Sequence, residues 1–394
     1  MQIYNREVRS FASVDMAAFS NPTSFFFQFH FQVAFYVGVL QTETELKMGV
    51  MPTVNYCQRS IMEFTKNVID ETIIEKLEIK PFSSASNSVC VANMGWSVGP
   101  NTFYCTQIIL DAVEKKFISE GFTPDQMPQF QVFFNSLLFN DFNILFESLP
   151  PKRRYFSAGV PGPFHGRLVP DSSLHFVHSS YALNWLSEVP PEVLDKDSPA
   201  WNQGRIHYTS APEAVVEAYA AQFAKYMGMF LDARAKELVE GSMMVLILPS
   251  TPDGIPHSDV PTGILFNHLG SCLVDLAKEG LVSEALVDSF NIPMYSVTPK
   301  EIRQLVERNG CFSIERMEPT DCRTNPDIPA TGYSITMRFR AGLEGVITRH
   351  FGAEIINELF ERFLERMDDV MPSLLSSNAQ GSQITVILKR KCYN

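Results

Sequence analysis

Ser88-Val89-Cys90-Val91-Ala92-Asn93-Met94-Gly95-Trp96-Ser97-Val98-Gly99-Pro100-Asn101-Thr102 is the stretch on which the fold turns. Short apolar residues up to Asn93 spell a buried strand, and two glycines allow a tight turn. Pro100 then opens a helix running to about Phe117, because the fixed φ of proline suits a first helical position. A strand, a glycine loop and a helix in this order bring backbone N–H groups close to a ligand's polar atoms, since only glycine lets the main chain approach so nearly. The same letters also contain Gly95-x-Ser97-x-Gly99, the spacing of a nucleophile elbow at a strand-to-helix turn. Two chemistries start from one loop.

Working outward, Ile61, Phe64, Val68, Ile69, Ile73, Ile74 and Leu77 recur at helical spacing on the upstream side, over about 55–78. Downstream, residues 129–135 read as a second strand ending in polar Asn135-Ser136, which completes a βαβ unit. The alternation continues with a short helix over 141–149, strands over 155–160 and 174–178, a long amphipathic helix over 212–240 and a buried strand over 243–248. A largely helical stretch over 262–307, interrupted at Ser289–Pro293, leads to strands near 311–317 and 333–338, a long helix over 342–370 and a final strand over 383–388. This order is α/β, a Rossmann-like sheet whose late helical insertions, mainly about 200–330, cap the ligand edge.

Composition narrows the partners. The chain has 394 residues, of which 45% are apolar, and 44 acidic against 32 basic residues give a net charge of -12. Phosphate contacts need clustered Lys and Arg, so nucleic acid is not an expected partner. Lys152-Arg153-Arg154 and Lys389-Arg390-Lys391 read as solvated loop ends. Seven cysteines (Cys57, Cys90, Cys105, Cys272, Cys311, Cys322, Cys392) never form a Cys-x-x-Cys pair, which implies a reducing, cytoplasmic setting and no structural zinc. Residues 1–47 form an extension that is Phe-rich over 24–40, where residues 27–33 alternate like a strand. Gln28, His30 and Gln32 break it, so neither a membrane helix nor a signal peptide is expected, and 48–394 is the functional domain.

With these elements in place, several stretches together resemble the plant salicylate, benzoate and theobromine (SABATH) methyltransferases. They are Gly99-Pro100-Asn101-Thr102, QVFFNSLLFNDFNILF at 131–146, GVPGPFHGRLVP at 159–170, HSSYALNWLSEVP at 178–190, DSFNIPMY at 288–295 and HFGAEI at 350–355. The resemblance covers roughly 55–390 in order. It implies a seven-stranded methyltransferase sheet with a mainly α-helical cap, S-adenosylmethionine as donor, a small carboxylic acid as acceptor, and a homodimer. No catalytic residue is implied, because a carboxylate of ordinary pKa near ~4 is already ionised at neutral pH and needs no general base. The resemblance assigns acceptor positioning to Gln58 and Trp185, with Tyr181 and Asn184 in the same pocket. It assigns donor binding to Met51, Asn93, Gly95, Trp96, Asn101, Ser136, Leu137, Pro163, Phe164 and Ser180. Asn202, Asp288, Phe290 and Asn291 match positions that hold a divalent ion, possible Mg2+, in some relatives. The apolar Met243, Phe266, Met294 and Phe312 suit core or pocket equally.

The donor pocket departs from the family pattern. Asn93 and Ser136 stand where acidic residues are usual, Trp96 replaces a cysteine, Val98 and Pro163 replace serines, and Met51 replaces a tyrosine. Losing two carboxylate contacts weakens a ligand by roughly a hundredfold if the losses add. Three readings follow: a carboxyl methyltransferase, an impaired paralogue that binds or dimerises, and a serine hydrolase using Ser97 with Asp259 and His268. His175-x-x-His178 on a strand projects to opposite faces and makes a poor metal pair.

Overall fold

Among the strand-forming stretches, Ser88–Met94 becomes the third strand of a seven-stranded mixed sheet, directly beside its central strand. In this computed structural model the described residues are 65–79, 88–95, 100–138, 140–320, 331–377 and 382–392. A helix over 65–76 (α1) is followed by β1 (Ser88–Met94), α2 (Pro100–Ser119), β2 (Gln129–Ser136), α3 (Phe142–Glu147), β3 (Tyr155–Pro161) and β4 (Leu174–Ser180). Then come α4 (Glu213–Glu237), β5 (Leu238–Pro249), α5 (Pro261–Lys278), α6 (Glu284–Ser289), α7 (Pro299–Asn309) and β6 (Phe312–Thr320). The last elements are α8 (Gly332–Phe351), α9 (Ile356–Glu365), α10 (Met367–Ser376) and β7 (Gln383–Arg390).

The seven strands lie in the order β3-β2-β1-β4-β5-β7-β6, with β7 antiparallel to both neighbours and the other pairs parallel. From β1 the chain winds out through β2 and β3 and then returns to place β4 on the other side of β1. Strand order therefore reverses between β1 and β4, and the crevice beyond their carboxyl ends is where such sheets take ligands.

Alternation along the strands divides the sheet into two apolar faces. Val89 and Val91, with Val132, Phe134, Phe176 and Val245, pack against α1 and α2 through Ile69, Ile73, Ile109 and Val113. Ala92, Met94, Val177, Leu246 and Val386 meet α4 and α7 through Phe223, Phe230, Leu231 and Ile302. Each such fully buried side chain is worth roughly 1.5–3 kcal/mol. A third cluster joins Trp185, Ile206 and Met294 to Phe266 and Leu269 of α5, Ile347 of α8 and Phe363 of α9.

Three expectations are corrected. Residues 333–338 are not a strand but the first turns of α8, which Thr331 starts: its hydroxyl accepts from Ser334 N at 3.1 Å, and Ser334 Oγ accepts from Thr331 N at 3.1 Å. The long helix expected over 342–370 is three helices, because Gly352, at φ 93°, ends α8 in a conformation that only glycine adopts easily. The helix expected to reach residue 240 stops at Glu237 and passes straight into β5, and Gly241 falls in the register shift between Leu174 and Phe176 of the β4–β5 pair.

Candidate active site

The carboxyl ends of β1, β2 and β4 bring most of the expected donor residues together. Gly95 closes β1 at φ 77°, with its N–H on the Asn135 carbonyl at 2.9 Å. Asn93 is buried, and its side-chain amide donates to Thr102 O at 3.2 Å and Thr106 Oγ1 at 3.3 Å, so it ties the first turns of α2 to the strand. Asn135 Nδ2 donates to the carbonyls of Val160 and Gly162, both at 2.9 Å, while its Oδ1 has no partner among the described residues. Ser136 is buried, with its hydroxyl accepting from Asn140 Nδ2 at 2.7 Å and its carbonyl accepting from Gly162 N at 2.8 Å. Leu137 and Phe164 are buried beside it, and Pro163 O accepts from Gly166 N at 3.2 Å.

On the other side of the crevice, the hydroxyls of Ser179 and Ser180 are buried without a partner among the described residues. Tyr181 follows at φ 52°, a left-handed backbone that costs a non-glycine residue roughly 1–3 kcal/mol. It is held there by its own N–H on Ile247 O at 2.9 Å and by its hydroxyl donating to Gln383 Oε1. The next residues are stitched to the cap-side segment: Leu186 N donates to Pro293 O at 2.8 Å, Tyr295 N to Asn184 O at 2.9 Å, and Trp185 bridges Met294. Trp185 is 2% exposed and packs in the cluster that holds Ile206, Phe266 and Met294; Phe266 lies 4.2 Å from the His207 ring and 5.2 Å from that of Phe339. Of the four residues that suited core or pocket, Met243 and Phe312 belong to the sheet's two clusters, and Phe266 and Met294 sit with Trp185.

The His207 and Tyr295 rings of this wall are already engaged. His207 Nε2 bonds Met294 O at 3.0 Å, its Nδ1 bonds Thr209 Oγ1 at 3.2 Å, and burial pushes its pKa down to about 3. Burial likewise raises the Tyr208 and Tyr295 phenols, the latter donating to Glu301 Oε1 at 2.7 Å. The arrangement can orient and desolvate a reactant.

The sequence profile of the SAM dependent carboxyl methyltransferases matches residues 54–391. The chain belongs to this family. Loganic acid O-methyltransferase of Catharanthus roseus is 40% identical over 341 residues, 86% of this chain and 91% of the relative. Farnesoic acid carboxyl-O-methyltransferase of Arabidopsis thaliana is 36% identical over 333 residues, 84% of this chain and 93% of the relative. A solved loganic acid methyltransferase with SAH superposes with a TM-score of 0.81 at 39% identity, covering 86% of this chain and 95% of that one. The SABATH resemblance, the fold and the methyl-transfer chemistry expected from the sequence all stand.

As a carboxyl methyltransferase the chain needs a place for S-adenosylmethionine, and the residues fit one. Buried polar atoms without partners among the described residues, Asn135 Oδ1, Ser179 Oγ and Ser180 Oγ, stand at the carboxyl ends beside apolar Leu137 and Phe164. Such a mixture of acceptors and apolar surface suits a nucleoside-bearing ligand.

Magnesium does not fit. Asn202, Asp288 and Asn291 are indeed brought together, but Asn202 Nδ2 donates to Asn291 Oδ1 at 2.7 Å and Asp288 Oδ1 accepts from Gly204 N at 2.9 Å. Phe290 is buried against the rings of His350 and Phe351. One carboxylate beside two amides that bond each other does not make the octahedral oxygen cage that Mg2+ demands. Among the described residues no group of three or more His, Cys, Asp or Glu could hold a metal ion. His175 accepts from Cys90 N at 3.0 Å while His178 is in register with Asn93, so the two histidines act apart.

Met51, Gln58, Trp96 and Ser97 lie outside the described residues, as do residues 1–47 and the side chain of Asn101. Gln383 was not among the expected site residues. Gln383 is distant in sequence and carried no signal, whereas the polar Asn135-Ser136 end of a hydrophobic strand was a visible one. No described helix is long and apolar enough to cross a membrane.

Proposed function

We propose that this carboxyl methyltransferase esterifies a small, mainly apolar organic acid within a single domain spanning 48–394, capped by its helical insertions. The observation that carries the reading is the seam at Trp185, where the end of β4 is hydrogen-bonded to the 293–295 segment and apolar side chains of the cap surround the indole. An indole Nε1–H can only donate, and a carboxylate can only accept. Trp185, with Gln58 as second donor and with Tyr181 and Asn184 beside it, orients the acceptor carboxylate. Relatives named for loganic and farnesoic acids favour terpenoid or similar acids as the acceptor class.

The donor supplies a methyl group on a sulfonium. Asn135, Ser136, Leu137, Pro163, Phe164 and Ser180, with Asn93, Gly95 and Asn101 below, and Met51 and Trp96 from the flanking segments, form its site. Ile206, Phe266, Met294 and Phe339 exclude water from the acceptor, so a carboxylate is presented desolvated and aligned, which is the whole of the catalysis required. Homodimerisation and a cytoplasmic setting complete the proposal; the odd number of cysteines supports a reducing compartment.

Calorimetric titration with S-adenosylmethionine and S-adenosylhomocysteine, followed by a panel of carboxylic acids with labelled donor, tests the reading. Micromolar donor binding and label recovered in a base-labile ester are expected. A folded protein that binds neither nucleoside would overturn it.

A further inference from the structure

Beneath the donor crevice lies an ion pair that the reaction itself does not use. Arg234 and Glu237, three residues apart in the last turn of α4, are both 0% exposed and pair at 2.7 Å. Their hydrogen bonds to backbone groups go to one loop. Arg234 Nη1 donates to Phe164 O at 2.9 Å and Nη2 to Gly166 O at 2.8 Å, while Glu237 Oε1 accepts from Leu168 N and, at 3.1 Å, from Val169 N. The guanidinium also lies 3.7 Å from Met94 Sδ at the end of β1 and 5.1 Å from the Phe230 ring. The same turn's backbone carbonyls, Lys236 O and Glu237 O, accept from Ser172 N and Ser173 N at 2.9 Å.

We infer that the Arg234–Glu237 pair is a positioning device for the donor site: it fixes the 163–169 loop against the end of β1, so that Pro163 and Phe164 stand at a set height over the crevice. The inference rests on the methyltransferase reading above. A buried pair of this kind contributes little net stability, because desolvation offsets its attraction, and apolar replacements of similar volume are often neutral. What it supplies is geometry: two donors in a fixed fork and two acceptor contacts set four backbone groups of one loop at once. Asn135, gripping Val160 O and Gly162 O from above, holds the other end of the segment. His165, buried next to the guanidinium, is kept neutral by burial and by that charge, its pKa pushed down to about 3, so no second cation competes for Glu237.

The test measures donor and acceptor binding separately on the full chain. In Arg234→Lys a single ammonium cannot serve both carbonyls, and in Arg234→Met with Glu237→Gln the charges are gone while the side chain at 237 still accepts. For variants that melt cooperatively, the expected result is an S-adenosylhomocysteine Kd and a donor KM raised about tenfold or more, with acceptor KM and kcat at saturating donor within about twofold of the parent. Unchanged nucleoside Kd in a cooperatively melting variant overturns the inference. Hydrogen exchange on the unmodified chain needs no variant: added S-adenosylhomocysteine should slow the amides of 164–169, and equal exchange with and without it overturns the inference too. Failure of the unmodified chain to bind the nucleoside would instead sink the methyltransferase reading.

Discussion

Ser136 and Asn93, where the resemblance expects acidic residues, play different structural parts, and this makes their replacement by aspartate unequal. Ser136 keeps its hydroxyl on Asn140 Nδ2, an amide that a carboxylate could also accept from. Ser136→Asp is therefore expected to fold normally and to tighten S-adenosylhomocysteine about tenfold in calorimetry, as a charged acceptor adds roughly 1.5 kcal/mol over a hydroxyl. Asn93 is a donor here, facing the Thr102 carbonyl and the Thr106 hydroxyl, which itself donates to Thr102 O. In Asn93→Asp a carboxylate would face that carbonyl, so a loss of about 1–3 kcal/mol in a denaturant titration is expected, with no gain in nucleoside affinity. Stability equal to the parent would show that the Asn93 amide is not needed by α2. At Trp185, replacement by phenylalanine keeps the apolar packing and removes the one donor; acceptor kcat/KM should fall about 10- to 100-fold while nucleoside Kd stays fixed. If acceptor kcat/KM is unchanged, the indole does not hold the carboxylate.

At the scale of elements, β4 carries two buried histidines in a central strand, and two more lie on the elements around the crevice. Burial depresses His175 and His178 to about 4 and His165 and His207 to about 3. An unfolded histidine protonates near ~6.5, so below that pH the unfolded chain binds protons that the native state refuses. The histidine-linked part of the stability is thus expected to be full above about 6.5 and to fall as pH drops toward 3. Melting temperature against pH reads this directly, and His178→Gln should remove less than a quarter of the histidine-linked fall, since His257, His268 and His350 are also lowered by burial. A profile flat from pH 7 to 4 would contradict the burial. The elements also show what the sequence could carry. The strand, glycine turn and helix from Ser88 onward were legible because period, turn residue and helix-opening proline agreed. Residues 333–338 were not, since Ser-Ile-Thr-Met alternates like a strand; the deciding contacts are tertiary, with Ile335, Leu343, Val346 and Ile347 buried in the cap cluster. The direction in which the Asn93 amide points depends on the placement of α2, which no local pattern encodes.

For the whole molecule, each of the seven strands among the described residues, from Ser88 to Arg390, pairs with a neighbour from that span, and the family match begins at residue 54. The Phe-rich residues 1–47 precede both. If the donor and acceptor sites are built wholly from residues 48–394, a chain of those residues should melt within about 2 °C of the full protein, a shift of at most about 1.5 kcal/mol for a domain this large. It should also keep its S-adenosylhomocysteine Kd within about twofold. Sedimentation of both forms checks the third expectation, that both form the proposed homodimer. A shorter chain that binds the nucleoside but sediments as a monomer would assign residues 1–47 to assembly. One that melts early and loses binding would place them over the crevice, so the first 47 residues would belong to the enzyme's working unit after all.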